Sequence, residues 1–313
     1  MAADMTHVDD VIGRRLASDV ALVNQISRYI IEAGGKRIRP RLVLLFANAL
    51  GFAGPERFTL AAIVEFIHTA TLLHDDVVDE SALRRGRETA NAMFGNAASV
   101  LVGDFLYSRA FQMMVSLDRM RVLDVLADAT NVIAEGEVLQ LMNMHDPDIA
   151  VEDYLRVIRF KTAKLFEASA RLGAILAEVP AEVEEACAGY GRSLGTAFQL
   201  VDDLLDYEGD SSRLGKNVGD DLREGKPTMP LLLAMQRGTA AERELIRSSI
   251  EQGEVAGLQA IVDVVRRTGA LDATRAAARA EATRAQECLG LVPDSMHRAA
   301  LLDLCLRSVD RSS

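Results

Sequence analysis

The sequence predicts an all-α protein, a single large antiparallel bundle of long helices, and three observations lead there. Apolar residues recur at helical spacing almost throughout the 313 residues. No strand-like alternation competes with that period. The connections between periodic runs are short, and no Gly/Ser-rich linker or shift of composition marks a boundary, so one domain over residues 1–313 is expected.

Prolines punctuate the periodic runs and set the expected elements in order. A first helix is expected over residues 8–33 and a second over 40–50, opening at Pro40. After Pro55 comes a helix over 57–80, whose apolar positions include Ala61, Val64, Phe66, Ile67 and Ala70. Further helices are expected over 91–117 and over 119–143, the latter carrying Val122, Leu123, Leu126, Ile133 and Val138. Pro147 and Pro180 precede helices over 151–177 and 181–209. The remainder reads as 220–237, then 240–286 with a break near Gly253, then 294–309 after Pro293.

Bulk properties exclude several classes of function. A hydrophobic content of 49% supports a sizeable buried core. The net charge of -11 argues against wrapping nucleic acid or holding anionic lipid electrostatically. Cys187, Cys288 and Cys305 are odd in number and lack CxxC spacing, so neither a disulfide framework nor a zinc site is expected, and a reducing cytoplasm fits. The opening MAADMTHVDD lacks an export pattern, and no run of about 18 apolar residues suggests a membrane span.

Two acidic clusters carry chemistry. Asp75-Asp76-Val-Val-Asp79 and Asp202-Asp203-Leu-Leu-Asp206 both read DDxxD and both follow apolar runs. On a helix the first and last carboxylates stand at i and i+4 and share a face, while the middle one is rotated aside. Magnesium takes oxygen ligands and usually only one or two carboxylates beside substrate phosphates, so two such clusters facing one another would clamp a diphosphate through metal. A single DDxxD reads more readily as a solvated acidic helix end. The duplication beside long apolar segments, where charge needs a compensating cation, favours the metal.

Basic segments stand out in an acidic chain. Gly34-Gly35-Lys36-Arg37-Ile-Arg39-Pro40-Arg41 sets four cations beside two glycines at a helix start, a combination suited to phosphate oxygens. Arg84-Arg85-Gly86-Arg87 lies one to two turns beyond Asp79 if the helix persists. Lys161 and Thr162 sit mid-helix beside Ile158, Leu165 and Phe166, whereas Lys216 and Lys226 follow glycines. His68 precedes the first acidic cluster on the same helix and His74 adjoins it, and histidines so placed are more often packing or capping groups.

In order along the chain, GGKRIRP, HTATLLHDDVVDESALRRG, GDFLYSRAF, EGEVLQL, KTAKLFEASA, GTAFQLVDDLLDY and LGKNVGDDLREGKPTMPL resemble the trans-type polyprenyl diphosphate synthases. The likeness runs from about residue 5 to the end. Within that family, HTATLLHDDVVDES and GNAASVLVGDF resemble the bacterial octaprenyl synthases that make the ubiquinone side chain. The resemblance implies the isoprenoid synthase fold, a helix bundle around a deep central cavity, in a homodimer. It implies magnesium on Asp75, Asp79, Asp202 and Asp206, with Asp76 and Asp203 supporting. It gives Lys36, Arg39, His68 and Arg85 to isopentenyl diphosphate, and Arg84, Lys161, Thr162, Gln199 and Lys216 to the allylic diphosphate. Lys161, Thr162, Gln199, Asp76 and Asp203 then count as catalytic. Ala70 is implied as the residue that limits product length, although helical spacing alone favours Thr71, which is i-4 from Asp75.

The implied reaction begins with loss of diphosphate from an allylic primer such as farnesyl diphosphate. Isopentenyl diphosphate attacks the allylic cation, and the departed diphosphate takes the proton. Water must be excluded, which makes segments near Gly215 and Gly225 candidate lids. Other readings stay open at this stage. A terpene cyclase shares the acidic clusters but has no need of GGKRIRP, and a non-catalytic subunit of a heteromeric synthase has no need of two intact DDxxD clusters. An HD-type phosphohydrolase, suggested by His74-Asp75, needs more histidines than His7, His145 and His297 provide.

Overall fold

The computed structural model describes every residue except 33, 85, 209–218, 256 and 311–313. These residues divide into two compact units, one of Met1–Thr130, Leu165–Gly191 and Leu289–Leu301, the other of Asn131–Lys164, Arg192–Cys288 and Leu302–Ser313.

The first unit holds α1 (Ala2–Leu16), α2 (Ala21–Glu32), α3 (Ile38–Ala49), α4 (Glu56–Val78), α5 (Ala90–Phe94), α6 (Asn96–Ser116) and the start of α7 (Met120–Asn143). Helix α4 is its centre, with α1, α3, α5 and α6 packed on it. It is buried on nearly every face, from Leu60 through Phe66 and Ala70 to Leu73, as its almost unbroken apolar run requires. Phe46 meets Tyr190 edge to face at 5.1 Å, and a Cβ on Gly173 would fall 2.7 Å from the Phe46 Cβ, so α3 lies close against α9 (Lys164–Leu176) there.

Three departures from expectation in this unit have local causes. The helix expected over 8–33 is two helices, because the Asn24 side chain takes the Ser18 N–H at 3.0 Å and donates to the Ser18 carbonyl at 2.6 Å, capturing backbone groups that a continuous helix would use. Gly95, at φ 86°, separates α5 from α6. Beyond Asp79 the helix does not persist: Leu83–Arg84 (β1) and Arg87–Glu88 (β2) pair antiparallel around Gly86, at φ 74°.

The second unit contains the rest of α7, then α8 (Val151–Ile158), a π-helical segment at Arg159–Ala163, and the later part of α10 (Ala181–Glu208). Helices Asp220–Arg223, Met229–Arg237, Ala240–Gln252, Leu258–Arg267 and Ala270–Cys288 follow. Its core joins Tyr154 and Ile158 to Leu200, Leu204, Leu231 and Ile261. The span expected at 220–237 is interrupted where Gly225 turns at φ 67° and Pro227 follows. The span at 240–286 breaks at Gly269 as well as Gly253, both at positive φ after a helix end. The last helix, Met296–Val309, lies close to expectation. Among the described residues, no helix is long and apolar enough to cross a membrane.

Candidate active site

Within the first unit, α4 carries His68, Ala70, Thr71, Asp75 and Asp76, and Asp79 caps its end with its N–H on the Asp75 carbonyl at 2.8 Å. Three carboxylates therefore stand at a helix C-terminus, where the backbone dipole is already negative. Asp75 and Asp79 are half-buried, while Asp76 is wholly buried. Arg84 returns along the hairpin to Asp76, with Nε and Nη2 both 2.7 Å from Oδ1. Burial raises the Asp76 carboxyl above its ordinary value, and the Arg84 charge opposes that rise. The middle aspartate is thus tied to the protein and the outer pair is not turned into the core with it.

The basic run at the start of α3 divides its cations. Arg37, at φ 49°, pairs with Glu65 of α4 at 2.9 Å and reaches Asp9 of α1, so it fastens helices together. Lys36 is exposed. Arg39 places Nη1 3.0 Å from the Nε2 of His68 and lays its guanidinium 4.4 Å from the centre of the Phe166 ring. A guanidinium only donates, so this bond leaves the His68 proton on Nδ1. Two residues that the resemblance assigned to one diphosphate are therefore in contact. His74 instead packs against Gly103 and Tyr107 and stands 3.3 Å from Asp104, the packing role expected for a histidine so placed. Ala70 is fully buried; Thr71 is half-buried and donates to the His68 carbonyl at 2.8 Å.

Within the second unit, Asp202, Asp203 and Asp206 fall in the last two turns of α10, again at the negative end of a helix. Asp202 is half-buried, but Asp206 is fully buried and its Oδ2 accepts the Asp221 N–H at 3.2 Å. Asp203, the middle aspartate, accepts from Gln199 Nε2 at 2.8 Å on Oδ1 and from the Tyr154 hydroxyl on Oδ2. Burial, reinforced by the Asp221 charge, pushes its carboxyl up to about 7. Burial and the Asp203 charge hold the Tyr154 phenol well above its usual range, so it remains a proton donor.

The π-helical segment carries Lys161 and Thr162. Such segments widen a turn by one residue and recur at functional sites. Thr162 Oγ1 donates to Gln199 Oε1 at 3.0 Å, and Lys161 Nζ lies 2.6 Å from Glu137 Oε2 of α7. Gly136 permits that approach, since a Cβ there would meet the Lys161 backbone nitrogen at 2.7 Å. Lys226 pairs with Glu224 in the turn after Asp220–Arg223. Arg85, Lys216 and Gly215 lie outside the described residues. Tyr154 and Glu137 escaped the sequence reading: a tyrosine in YLRVIRFKT looks like core, and its partner is 49 residues away.

The donor set fits magnesium. Among the described residues, no group of three or more His, Cys, Asp or Glu side chains is placed to hold a metal unaided. Magnesium bound through one or two carboxylates and phosphate oxygens needs no such group.

The polyprenyl synthetase family profile matches residues 20–265. The chain belongs to that family. It is 56% identical over 311 residues to the octaprenyl diphosphate synthase of Escherichia coli K12, covering 99% of this chain and 96% of the relative. It is 47% identical over 312 residues to the geranyl-diphosphate-specific all-trans-nonaprenyl-diphosphate synthase of Rhodobacter capsulatus, covering 99% and 96%. A crystal structure of polyprenyl synthase from Caulobacter crescentus CB15, complexed with calcium and isoprenyl diphosphate, superposes with a TM-score of 0.96 at 46% identity, covering 100% of this chain and 96% of that one. This polyprenyl synthase accordingly has the all-α isoprenoid synthase fold and is a prenyltransferase of the trans-polyprenyl diphosphate synthase type.

Proposed function

We propose that the chain condenses isopentenyl diphosphate onto an allylic diphosphate primer, farnesyl diphosphate by preference, and releases octaprenyl diphosphate for the quinone side chain. The observation that carries this is the repeated arrangement of DDxxD at a helix C-terminus, with the middle aspartate bound by protein donors and the i, i+4 pair beside it. Asp75, Asp79, Asp202 and Asp206 would hold magnesium, which supplies neutralisation of the charge developing on the leaving diphosphate. Lys161, Thr162 and Gln199, with Arg84 and Lys216, hold the allylic diphosphate in this reading, and Lys36, Arg39, His68 and Arg85 hold isopentenyl diphosphate. The calcium and isoprenyl diphosphate bound by the Caulobacter relative support a divalent cation and a diphosphate here.

The same proposal takes residues 1–313 as one polyprenyl synthase domain, supported by matches that span 99% or more of this chain and 96% of each relative. It takes the cytoplasm as compartment, in keeping with three cysteines that suggest no disulfide framework. It takes a second copy of the chain as partner. Helix α6 exposes Val100, Leu101, Phe111 and Val115 within about 100° of its circumference, two apolar pairs with Asp104 and Ser108 between them, a face suited to another such helix.

Product sizing tests the reading. Purified protein with magnesium, farnesyl diphosphate and labelled isopentenyl diphosphate is expected to yield a prenyl diphosphate of eight isoprene units. A cyclic hydrocarbon indicates a terpene cyclase, and no product from either substrate indicates a non-catalytic subunit. A nine-unit product made only from geranyl diphosphate places the chain with the Rhodobacter relative. In the same assay Ala70→Tyr is expected to stay folded and shorten the product, because one helical turn of 5.4 Å is comparable to one isoprene unit. Full-length product from a folded, active Ala70→Tyr removes Ala70 as the limit to growth.

A further inference from the structure

We infer that Tyr154 is a positioning residue for the reaction, acting through Asp203 and Gln199 on Thr162; this rests on the prenyl transfer proposed above. Four side chains from α8, the π-helical segment and α10 form one unbroken hydrogen-bonded series within the second unit. The Tyr154 hydroxyl donates to Asp203 Oδ2, Gln199 Nε2 donates to Asp203 Oδ1 at 2.8 Å, and Thr162 Oγ1 donates to Gln199 Oε1 at 3.0 Å.

The bonds run one way along the series. With Tyr154 and Gln199 both donating to Asp203, Gln199 turns its amide nitrogen toward that carboxyl and its oxygen toward Thr162. That leaves the Thr162 hydroxyl one acceptor within the series and one orientation of its proton. Each member depends on the one before. Asp203 is 4% exposed and Tyr154 5% exposed among Leu200, Val201 and Leu204, so no solvent stands ready to replace the phenol as donor to Oδ2. A carboxylate deprived of that donor has reason to rotate, and Gln199 and Thr162 follow it.

The place where the series ends explains the need for it. Thr162 lies on a π-helical turn, an i→i+5 departure from the α-helical pattern of the kind that recurs at functional sites. Its neighbour Lys161 is braced from α7 by Glu137, with Gly136 against the backbone. Thr162 is braced from α10 by the series that starts at Tyr154. Tyr154 itself need touch no reacting atom, and a fixed hydroxyl matters because small misplacements near a reacting centre cost rate steeply.

The test compares Tyr154→Phe with wild type for kcat, for KM toward each substrate and for Tm. Tyr190→Phe serves as control, since Tyr190 is equally buried and its hydroxyl donates to the Leu301 carbonyl at 2.8 Å, away from the series. Tyr154→Phe is expected to lower kcat about tenfold or more, with the KM for isopentenyl diphosphate unchanged, while Tyr190→Phe lowers Tm alone. In the double variant Tyr154→Phe with Gln199→Leu, kcat is expected to fall no further than in Gln199→Leu, because the two act in series. Should Tyr154→Phe not fold, Asp203→Asn takes its place, and combined with Gln199→Leu it is expected to lower kcat no further than Gln199→Leu alone. Near-normal kcat in folded Tyr154→Phe, or losses that multiply in either double variant, overturns the positioning role alone. A wild-type protein that elongates no primer overturns the functional reading, and the role with it.

Discussion

Arg39 and Arg37 stand two residues apart in one basic run and do different work. Arg37 is spent on Glu65 and Asp9, between helices, while Arg39 rests on His68 and the Phe166 ring. Arg39→Ala is therefore expected to raise the KM for isopentenyl diphosphate by about tenfold or more, the scale of one lost charged hydrogen bond, and to change the KM for the primer far less. Steady-state kinetics with each substrate varied in turn checks this, and equal weakening toward both removes the assignment of Arg39 to one of them. The DDxxD spacing, with its outer pair on one face, was legible in the chain because i, i+4 geometry is local. Arg37 and His68 were not separable in that way. Only the fold shows that a cation two residues from Arg39 turns to a glutamate on α4, or that His68 meets a residue 29 positions earlier.

At the scale of elements, helix centres were readable and helix interruptions were not. Apolar periodicity located α3, α4 and α7 closely, since burial writes itself into the sequence at every turn. The break between α1 and α2 rests on a single Asn24 side chain bonding Ser18, and the π-helical turn at Arg159–Ala163 lies where Gly136 lets α7 approach closely; neither changes the apolar period. Helix ends with side-chain caps are more legible. Thr239 and Glu242 form a capping box at the start of Ala240–Gln252, and hydrogen bonds from the Thr239 N–H and hydroxyl, with Arg267 beside them, hold the Glu242 carboxyl below its ordinary value of 4.5. A carboxyl with a lowered folded pKa stabilises the fold fully above its unfolded value and loses that contribution as pH falls through the folded value. Wild type is thus expected to exceed Glu242→Gln in Tm at pH 7, with the difference closing as pH falls below 4.5. Thermal melts across that range check it, and a gap that stays constant into acid would mean that the charge of Glu242 contributes nothing. Thr239→Ala, which removes the cap itself, is expected to cost about 1 kcal/mol.

For the whole molecule, pairing of two copies is the proposal that shapes everything larger than a helix. The outer face of α6 leaves Leu101 and Val115 each 67% exposed, at either end of a surface that carries Asp104 and Ser108 between them. Leu101→Asp combined with Val115→Asp is expected to halve the mass seen by sedimentation equilibrium at micromolar concentration, with the helical content retained. A wild type that sediments as a monomer, or a double variant that still sediments as a dimer, removes α6 as the interface.

The crowding of carboxylates at the ends of α4 and α10 has a consequence for how long the protein survives unoccupied. Like charges gathered at a negative helix terminus repel one another and weaken the last turns. A bound cation reverses the sign of that force, and any ligand held only by the folded form adds RT ln(1 + [L]/Kd) to its stability. Under the proposed function, removing substrate and cation leaves that repulsion uncompensated at both helix ends. A protease is therefore expected to cut the protein more slowly with magnesium and diphosphate present than without them, which limited proteolysis measures.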